Sequence, residues 1–156
     1  MASTTRASTL YTSLHVNKYL ADARDLHGRK TFIPFAHTTV TEQAAASALV
    51  RDFVQLCVIP ANAEVRSIEI HFEAMSISAG VAVLADIGDA DDDNRYMAAL
   101  DVDVAGTSRA LARAGWRYRP TADAIVLLKW TGPASGAPVV GRDLYGEIGV
   151  ILAPGS

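Results

Sequence analysis

The chain has 156 residues, 50% of them hydrophobic and 20% charged, which excludes a disordered tail and indicates one globular domain. A domain of this size buries roughly 70% of the surface that its unfolded chain exposes, so it needs no disulfide, and its one cysteine could form none within the chain. The formal net charge of −3 argues against a protein that holds nucleic acid by electrostatics alone.

Residues 1–30 are polar and carry scattered apolar side chains, with no helical stripe long enough to stand alone. One interpretation is a chain end with a single docked turn, as is usual for termini. The other is an arm that lies on a neighbouring subunit, because a solvated segment has little need of large apolar residues. We predict an arm over residues 1–30 and a β-domain over residues 31–156. The arm residues assigned to partner contact are Leu10, Tyr11, Leu14, Tyr19 and Leu20.

Short apolar runs separated by turn residues begin at Thr31. Pro34 lacks an N–H, so residues 31–40 are expected to form an edge strand or two short strands. Residues 41–50 could form a helical turn or a loop. Residues 53–59 have the composition of a strand that is buried on both faces.

The next strand lies within residues 63–75 and alternates, with Ile68, Ile70 and Phe72 on its core face. A strand of small residues over 80–88 then leads into five Asp within residues 86–93, which we expect to form a solvated loop.

Three further strands are predicted, at residues 95–106, 124–130 and 143–154. Residues 107–115 form either a short helix or a loop, and residues 132–141, rich in Gly and Pro, a mobile connection. The side chains expected to share one side of the first of these strands are Tyr96, Ala98, Leu100, Val102 and Val104.

Seven or eight strands at intervals of about 10 to 15 residues, with no long helix between them, are typical of an antiparallel sandwich. Asp outnumbers Glu 12 to 5, which also favours strands and loops because Asp prefers caps and turns. The predicted fold is all-β: an antiparallel β-sandwich, jelly-roll-like, with a polar N-terminal arm. A parallel sheet would need crossovers of a dozen or more residues, which only residues 42–52 could supply.

Metal-ligating and nucleophilic residues are few. His71 and Glu73 share a strand face and could point at one ion, but a structural zinc ion needs four ligands and a catalytic one three. Cys57 lies between apolar neighbours, as a core residue does, whereas a reactive thiolate needs an electropositive, partly open setting. No nucleophile elbow, phosphate-binding loop or dinucleotide motif occurs. We therefore predict no catalytic residue, cofactor or metal ion, and no enzymatic activity.

The Asp-rich segment allows three interpretations. Asp86, Asp89, Asp91 and Asp93 could offer several oxygens to calcium, which takes six to eight, although the EF-hand spacing is absent. The alternatives are a solvated strand connector and a contact with a basic partner.

Arg109, Arg113, Arg117 and Arg119 lie within eleven positions and are interleaved with Trp116 and Tyr118. Such mixing can bind nucleic acid by stacking and charge, but strand alternation would place the aromatics and the nearby arginines on opposite faces. The other interpretations are a solvated face, or a basic stripe that meets an acidic loop, such as residues 86–93, of a neighbouring copy. Arg113, Arg117 and Arg119 are predicted to contact a partner.

Three segments carry a resemblance to a known family: LCVIPANAEVRSIEI, VAVLADIGDADDDNRYMAAL, and YRPTADAIVLLKW followed by a last apolar strand. In this order, over about residues 50–152, they resemble the jelly-roll-like accessory proteins of tailed-bacteriophage heads, called decoration or cement proteins.

The resemblance implies a non-enzymatic virion protein that stabilises the capsid by binding the outer surface of the major capsid protein lattice. It also implies a trimer or other small homo-oligomer whose N-terminal arm reaches a neighbour or the major capsid protein. Its place would be the capsid surface and, during assembly, the host cytoplasm.

Two other classes stay open. A carbohydrate- or receptor-binding β-sandwich of a tail or collar component would expose Trp116, Tyr118 or Trp130 as a platform. An enzyme on a cupin-type jelly roll would need clustered histidines, and their spacing here argues against it. No 18 apolar residues follow each other and no targeting segment is visible, so we expect no membrane partner. The net charge of −3 leads us to expect no direct binding of nucleic acid either.

Overall fold

The computed structural model describes the backbone of residues 5–7 and all of residues 30–40, 53–76, 82–131 and 138–152. The predicted turn or loop at 41–50 and most of the predicted connection at 132–141 lie outside these ranges. No helix within them is long and apolar enough to span a membrane. The strands in these ranges are β1 (Thr5–Ala7), β2 (Lys30–Thr38), β3 (Phe53–Ile59), β4 (Glu64–Phe72), β5 (Leu84–Gly88), β6 (Met97–Asp101), β7 (Gly106–Ser108), β8 (Ala124–Trp130) and β9 (Asp143–Ile151).

Strands β2 to β9 form two four-stranded antiparallel sheets, in the orders β2-β9-β4-β7 and β3-β8-β5-β6. Strand β2 pairs with β9, β3 with β8, β4 with β7 and β5 with β6. The chain thus runs like one long hairpin that is rolled onto itself, which is the jelly-roll arrangement. The predicted all-β, jelly-roll-like sandwich is confirmed.

Strand β1 adds a fifth strand beside β3 and runs parallel to it, whereas the sequence predicted only antiparallel pairing. Its backbone partners extend from Thr5 opposite Phe53 to Ala7 opposite Gln55. These three residues fall within the predicted arm and lie at the edge of the chain's own sandwich. The rest of residues 1–30, apart from Lys30, lies outside the described ranges.

Alternation along the strands sends apolar side chains into the space between the sheets. Ile68, Ile70 and Phe72 are buried there, as predicted, in one core cluster with residues of both sheets. Pro34 lies in β2, a single strand at the edge of its sheet, which is the first of the two alternatives that the sequence left open.

A bulge in β4 bears directly on the candidate site. The pairing of β4 with β9 shifts between Val65 and Ser67, so one residue is inserted into the ladder. Because such an insertion changes the face on which later side chains lie, Val65 and Ile68 are both buried although they are three positions apart. Glu64 and Val65 precede the shift and so lie on opposite faces of β4, and both are buried.

The segment between β5 and β8 departs most from prediction. Strand β6 is shorter than expected, and Ala99 has a φ of 49°, which breaks the alternation. The pairing with β5 also shifts, from Leu100 opposite Ala85 to Met97 opposite Ile87. Ala98 and Val104 are exposed and do not share a core side with Leu100. Residues 107–115 begin in the edge strand β7 and continue as turns, so the predicted helix alternative is wrong there.

Candidate interaction surface

The predicted partner arginines lie in the connection between β7 and β8, which we call the arginine loop, residues 109–120. The predicted strand alternation of residues 116–119 is wrong: the chain turns at residues 113–117, and Arg117 has a φ of 61°. The Arg117 N–H donates to the Val65 carbonyl and the Val65 N–H donates to the Tyr118 carbonyl, both at 2.9 Å. The loop is thereby fastened to β4 at its bulge.

A second anchor fixes the other side of the arginine loop. The Ala112 N–H donates to the Tyr96 carbonyl at 2.8 Å. Gly115 is buried so closely that a Cβ there would lie 2.6 Å from the Arg95 carbonyl oxygen. Tyr118 packs edge-on against Tyr96, with ring centroids 6.3 Å apart, and the Arg95 guanidinium lies 4.0 Å from the Tyr118 ring centroid. The loop is therefore held on this side by packing and one backbone hydrogen bond, and on the β4 side by two backbone hydrogen bonds.

The buried carboxylate of Glu64 contacts three arginines where the arginine loop is fastened to β4. Glu64 accepts from Arg117 Nε at 3.1 Å and from Arg119 Nε at 2.8 Å, and a second Arg119 nitrogen also contacts it. Arg66 Nη2 lies 2.7 Å from Glu64 Oε1. We call these four residues the Glu64 site.

The electrostatics of the Glu64 site follow from this geometry. Hydrogen bonding from Arg119 is the main reason that the pKa of Glu64 lies below its ordinary value of 4.5, so the carboxylate is ionised at neutral pH. The Glu64 side chain is 3% exposed, whereas those of Arg117 and Arg119 are 62% and 60% exposed. The negative charge lies beneath the surface and the positive charges lie on it.

Trp116 extends this surface with an apolar side chain. It is 53% exposed, and the Arg66 guanidinium carbon lies 5.7 Å from its ring centroid. Of the two other aromatics considered for a sugar platform, Trp130 is buried in the core and Tyr118 is half-buried. Of these three aromatic side chains, only that of Trp116 is exposed to solvent.

The predicted partner residues are distributed unevenly. Arg117 and Arg119 converge on Glu64, and Arg113 is exposed in the same loop. The five predicted arm residues, Leu10, Tyr11, Leu14, Tyr19 and Leu20, lie outside the described residues.

Neither Glu64 nor Arg66 was predicted from the sequence. The arginines that contact Glu64 from the arginine loop lie 53 and 55 positions along the chain, so no local pattern could pair them. The available signal was weak: a charged residue, Glu64, at the start of a strand whose core side is apolar.

The expected solvated Asp loop is wrong at Asp89, which is buried. Its carboxylate accepts from Arg95 Nε at 2.6 Å, from the Tyr96 hydroxyl at 3.0 Å and from the backbone N–H groups of Asp91 and Asp92 at 3.1 Å. We call Asp89, Arg95 and Tyr96 the Asp89 site. Burial is the main cause that raises the pKa of the Tyr96 hydroxyl, and the charge of Asp89 raises it further. The hydroxyl therefore stays protonated and donates a hydrogen bond.

Other members of the Asp cluster also have partners within the chain. Asp86 accepts from the Ala99 N–H at 2.7 Å, and Asp93 pairs with Lys129. Across the ranges that the structure describes, no group of three or more His, Cys, Asp or Glu side chains could hold a metal ion. The calcium interpretation of this cluster therefore has no geometric support.

His71 and Cys57 are used structurally. His71 contacts Thr107 at 2.7 Å and Glu69 at 3.0 Å and stacks on Tyr145, whereas Glu73 accepts from the Asp143 N–H at 2.9 Å, so the ion site considered for His71 and Glu73 is not formed. Cys57 is buried in the core, which raises the pKa of its thiol and confirms its interpretation as a core residue.

Comparison with known proteins identifies the fold. No family model and no curated protein matches the chain. A chain in the capsid of Ralstonia phage GP4 has the same fold, with a TM-score of 0.66 and 20% identity over 83% of this chain and 88% of that one.

Two further capsid structures contain similar chains. For the cyanophage Pam1 capsid the TM-score is 0.62 at 20% identity, over 81% of this chain and 87% of that one. For the acid-stable capsid of Helicobacter pylori bacteriophage KHP30 it is 0.57 at 13% identity, over 82% and 90%. At these identities the likeness shows a shared jelly-roll fold.

Proposed function

We propose that the chain is a non-enzymatic structural protein of a phage virion that decorates and stabilises the capsid. In this role it binds the outer surface of the major capsid protein lattice. The observation that carries the proposal is that three chains of the same fold come from phage capsid structures.

The lengths of the matched chains support an accessory role. The alignment to the Ralstonia phage chain covers 83% of 156 residues, about 129, which is 88% of about 147 residues. The other two matches give similar lengths by the same arithmetic. Each matched chain has room for little besides one sandwich, as here. A one-sandwich chain suits attachment to a shell, where many copies on one lattice add their weak contacts.

We propose two contact regions for this role. The first is the arginine loop with Arg113, Arg117 and Arg119, which is exposed and firmly anchored. The second is the N-terminal arm with its five apolar residues, which orders on a neighbour or on the shell protein. A segment that orders on binding loses conformational entropy but spreads its contact over a large area. The proposed free form is a homotrimer.

Co-sedimentation tests this function. The purified full chain is sized by chromatography with light scattering and then mixed with capsids of its own phage prepared without it. We expect a trimer that pellets with the capsids. A chain that stays in the supernatant contradicts decoration, and a chain that forms closed shells alone would be the shell protein itself.

The arm is tested in the same assay by changing Leu10, Tyr11, Leu14, Tyr19 and Leu20 to Ser. Substitution is preferred to deletion of residues 1–30 because a deletion would also remove β1, which pairs with β3. We expect the substituted chain to keep the β-sheet circular dichroism of the wild type and to lose most capsid binding. Unchanged co-sedimentation would exclude the arm from the contact.

The second candidate is a carbohydrate- or receptor-binding sandwich of a tail or collar component. The exposed Trp116 ring favours it, since an aromatic face is a common contact for a ligand. Binding of the chain to immobilised glycans, lost in Trp116→Ala, together with no binding to capsids, would select this function.

A further inference from the structure

We propose that the Glu64 site, together with Trp116, binds a short acidic segment of a partner protein. The inference rests on the proposed function and deepens it, because on the capsid this segment would belong to the shell protein. It names the chemistry of the contact, carboxylates against guanidinium groups, at a defined place on the sandwich.

The charge count at the site points to an anionic partner. Three guanidinium groups surround one carboxylate, which leaves two positive charges uncompensated within the site. Arg117 reaches Glu64 with one of its five N–H donors, and its side chain is mostly exposed. Guanidinium groups in such a position match carboxylates in planar, two-point geometry.

The site is organised before any partner arrives. Glu64 holds Arg117 and Arg119 at hydrogen-bond distance, and two hydrogen bonds between the backbone of Val65 and that of Arg117 and Tyr118 fix the chain that carries them. Ordering a long side chain on binding costs conformational entropy, so arginines that are already held bind more tightly than mobile ones.

Trp116 gives the surface an apolar contact beside its charges. The ring is more than half exposed and lies next to Arg66, which also reaches Glu64. Trp and Arg are the residue types that most often dominate binding energy in protein interfaces. The combination fits an acidic segment whose carboxylates bind the guanidinium groups while the methylene groups of its side chains pack on the Trp116 ring.

A neighbouring negative region favours a short acidic peptide over nucleic acid. The Arg95 guanidinium lies 4.0 Å from the Tyr118 ring centroid and holds Asp89, which also accepts from the backbone N–H groups of Asp91 and Asp92, so this acidic segment lies close to the arginine loop. An extended phosphate backbone that left the site on that side would be repelled. A segment with a few carboxylates could occupy the site without meeting these charges.

The chain's own acidic loop is a poor occupant. Asp89 is committed to Arg95 and Tyr96, and Asp93 to Lys129, so much of the negative charge of this loop is compensated within the same chain. A partner segment with uncompensated carboxylates gains more from the surplus charge of the Glu64 site.

The experiment measures fluorescence anisotropy of a labelled hexaglutamate peptide titrated with the full chain at low salt. The matched variants are Arg117→Gln and Arg119→Gln at the site and Arg142→Gln as control. Arg142 is exposed and lies near the opposite end of β4, about 26 Å away along the strand. All three variants change the net charge equally.

We expect the peptide to bind, each site variant to weaken binding at least about tenfold, and the control variant to change it by less than about twofold. Trp116→Ala, which leaves every charge in place, should weaken it several-fold. The proposal is overturned if the peptide does not bind, if the control weakens binding as much as the site variants do, or if a DNA oligonucleotide of equal charge binds more tightly.

Capsid co-sedimentation of the same variants separates this inference from the proposed function. If the wild type and both site variants pellet equally, the function stands and the acidic-segment inference fails. If the peptide binds at the site but the wild type ignores capsids, the site chemistry stands and the decoration function fails.

Discussion

Two buried carboxylates, Asp89 and Glu64, lie on either side of the arginine loop. They differ in how far the side chains of their arginine partners are exposed to solvent. Asp89 is paired with Arg95, whose side chain is only 16% exposed. Glu64 is paired with arginines that are mostly exposed. Both are arginine–carboxylate contacts, but only the Glu64 site displays its cationic charge to solvent.

This difference separates a structural ion pair from a contact surface. In the Asp89 site one carboxylate accepts hydrogen bonds from one guanidinium, one hydroxyl and two backbone N–H groups, and all of these donors belong to the same segment of the chain. In the Glu64 site the cations outnumber the anion. The first arrangement should matter for stability and the second for binding, and the predictions below test that division.

The largest effect on stability is expected from Asp89→Ala. The change leaves the Arg95 guanidinium, the Tyr96 hydroxyl and two backbone donors without their acceptor in a buried place. Breaking a buried pair from one side costs about 3–5 kcal/mol. Urea unfolding measures it, with Asp91→Ala, an exposed neighbour, expected within about 0.5 kcal/mol of the wild type. Equal midpoints for the two variants would refute a structural role for Asp89.

A smaller loss is expected from Gly115→Ala, which disturbs the anchor between the two sites. The new Cβ would lie 2.6 Å from the Arg95 carbonyl and 3.0 Å from the Tyr96 ring, so the loop must shift, at about 1–3 kcal/mol. The same shift should weaken hexaglutamate binding. The control is Gly141→Ala, where φ is +78° but no atom is near, and which should cost about 1 kcal/mol without affecting binding. Unchanged peptide affinity in Gly115→Ala would mean that the anchor at Gly115 does not position the surface that binds the peptide.

The sequence predicts the sandwich well because its information is local there. Alternation places Ile68, Ile70 and Phe72 in the core, and Pro34 marks an edge. Prediction fails where the backbone departs from regular geometry. The positive φ of Ala99 and Arg117 and the bulge at Val65 each change which way later side chains point, and nothing in their neighbours announces them.

Only part of the candidate site can be predicted from the sequence, because only part of it is formed by residues that are close along the chain. A cluster of arginines with aromatics is visible in the chain, so Arg117 and Arg119 can be singled out. Glu64 cannot, because it meets them only through the fold. Asp89 shows the opposite error: a run of Asp suggests solvation, yet Arg95 and Tyr96, a few positions on, bury one of them.

Acid should weaken the Glu64 site more in the wild type than in Glu64→Gln. The pKa of Glu64 is lowered in the folded chain, chiefly by Arg119. Its contribution to stability is therefore complete above the ordinary pKa of 4.5 and is lost as the pH falls through the lowered folded value. Thermal unfolding between neutral and acidic pH should show a steeper decline for the wild type, so that the two curves converge in acid. Parallel curves would mean that the Arg contacts do not stabilise the ionised form.

The smallest effect on stability is expected from Trp116→Ala, about 0.5 kcal/mol, because the ring is mostly exposed and its described ring contact is with Arg66. Trp130→Ala, the matched change in the core, should cost about 3–5 kcal/mol. Urea unfolding gives both values, and anisotropy with hexaglutamate gives the affinity of Trp116→Ala. A residue that adds little to the fold but much to binding is placed for a partner. If Trp116→Ala lowers the urea midpoint as much as Trp130→Ala does, or binds the peptide as the wild type does, Trp116 contributes to the stability of the fold and not to a contact surface.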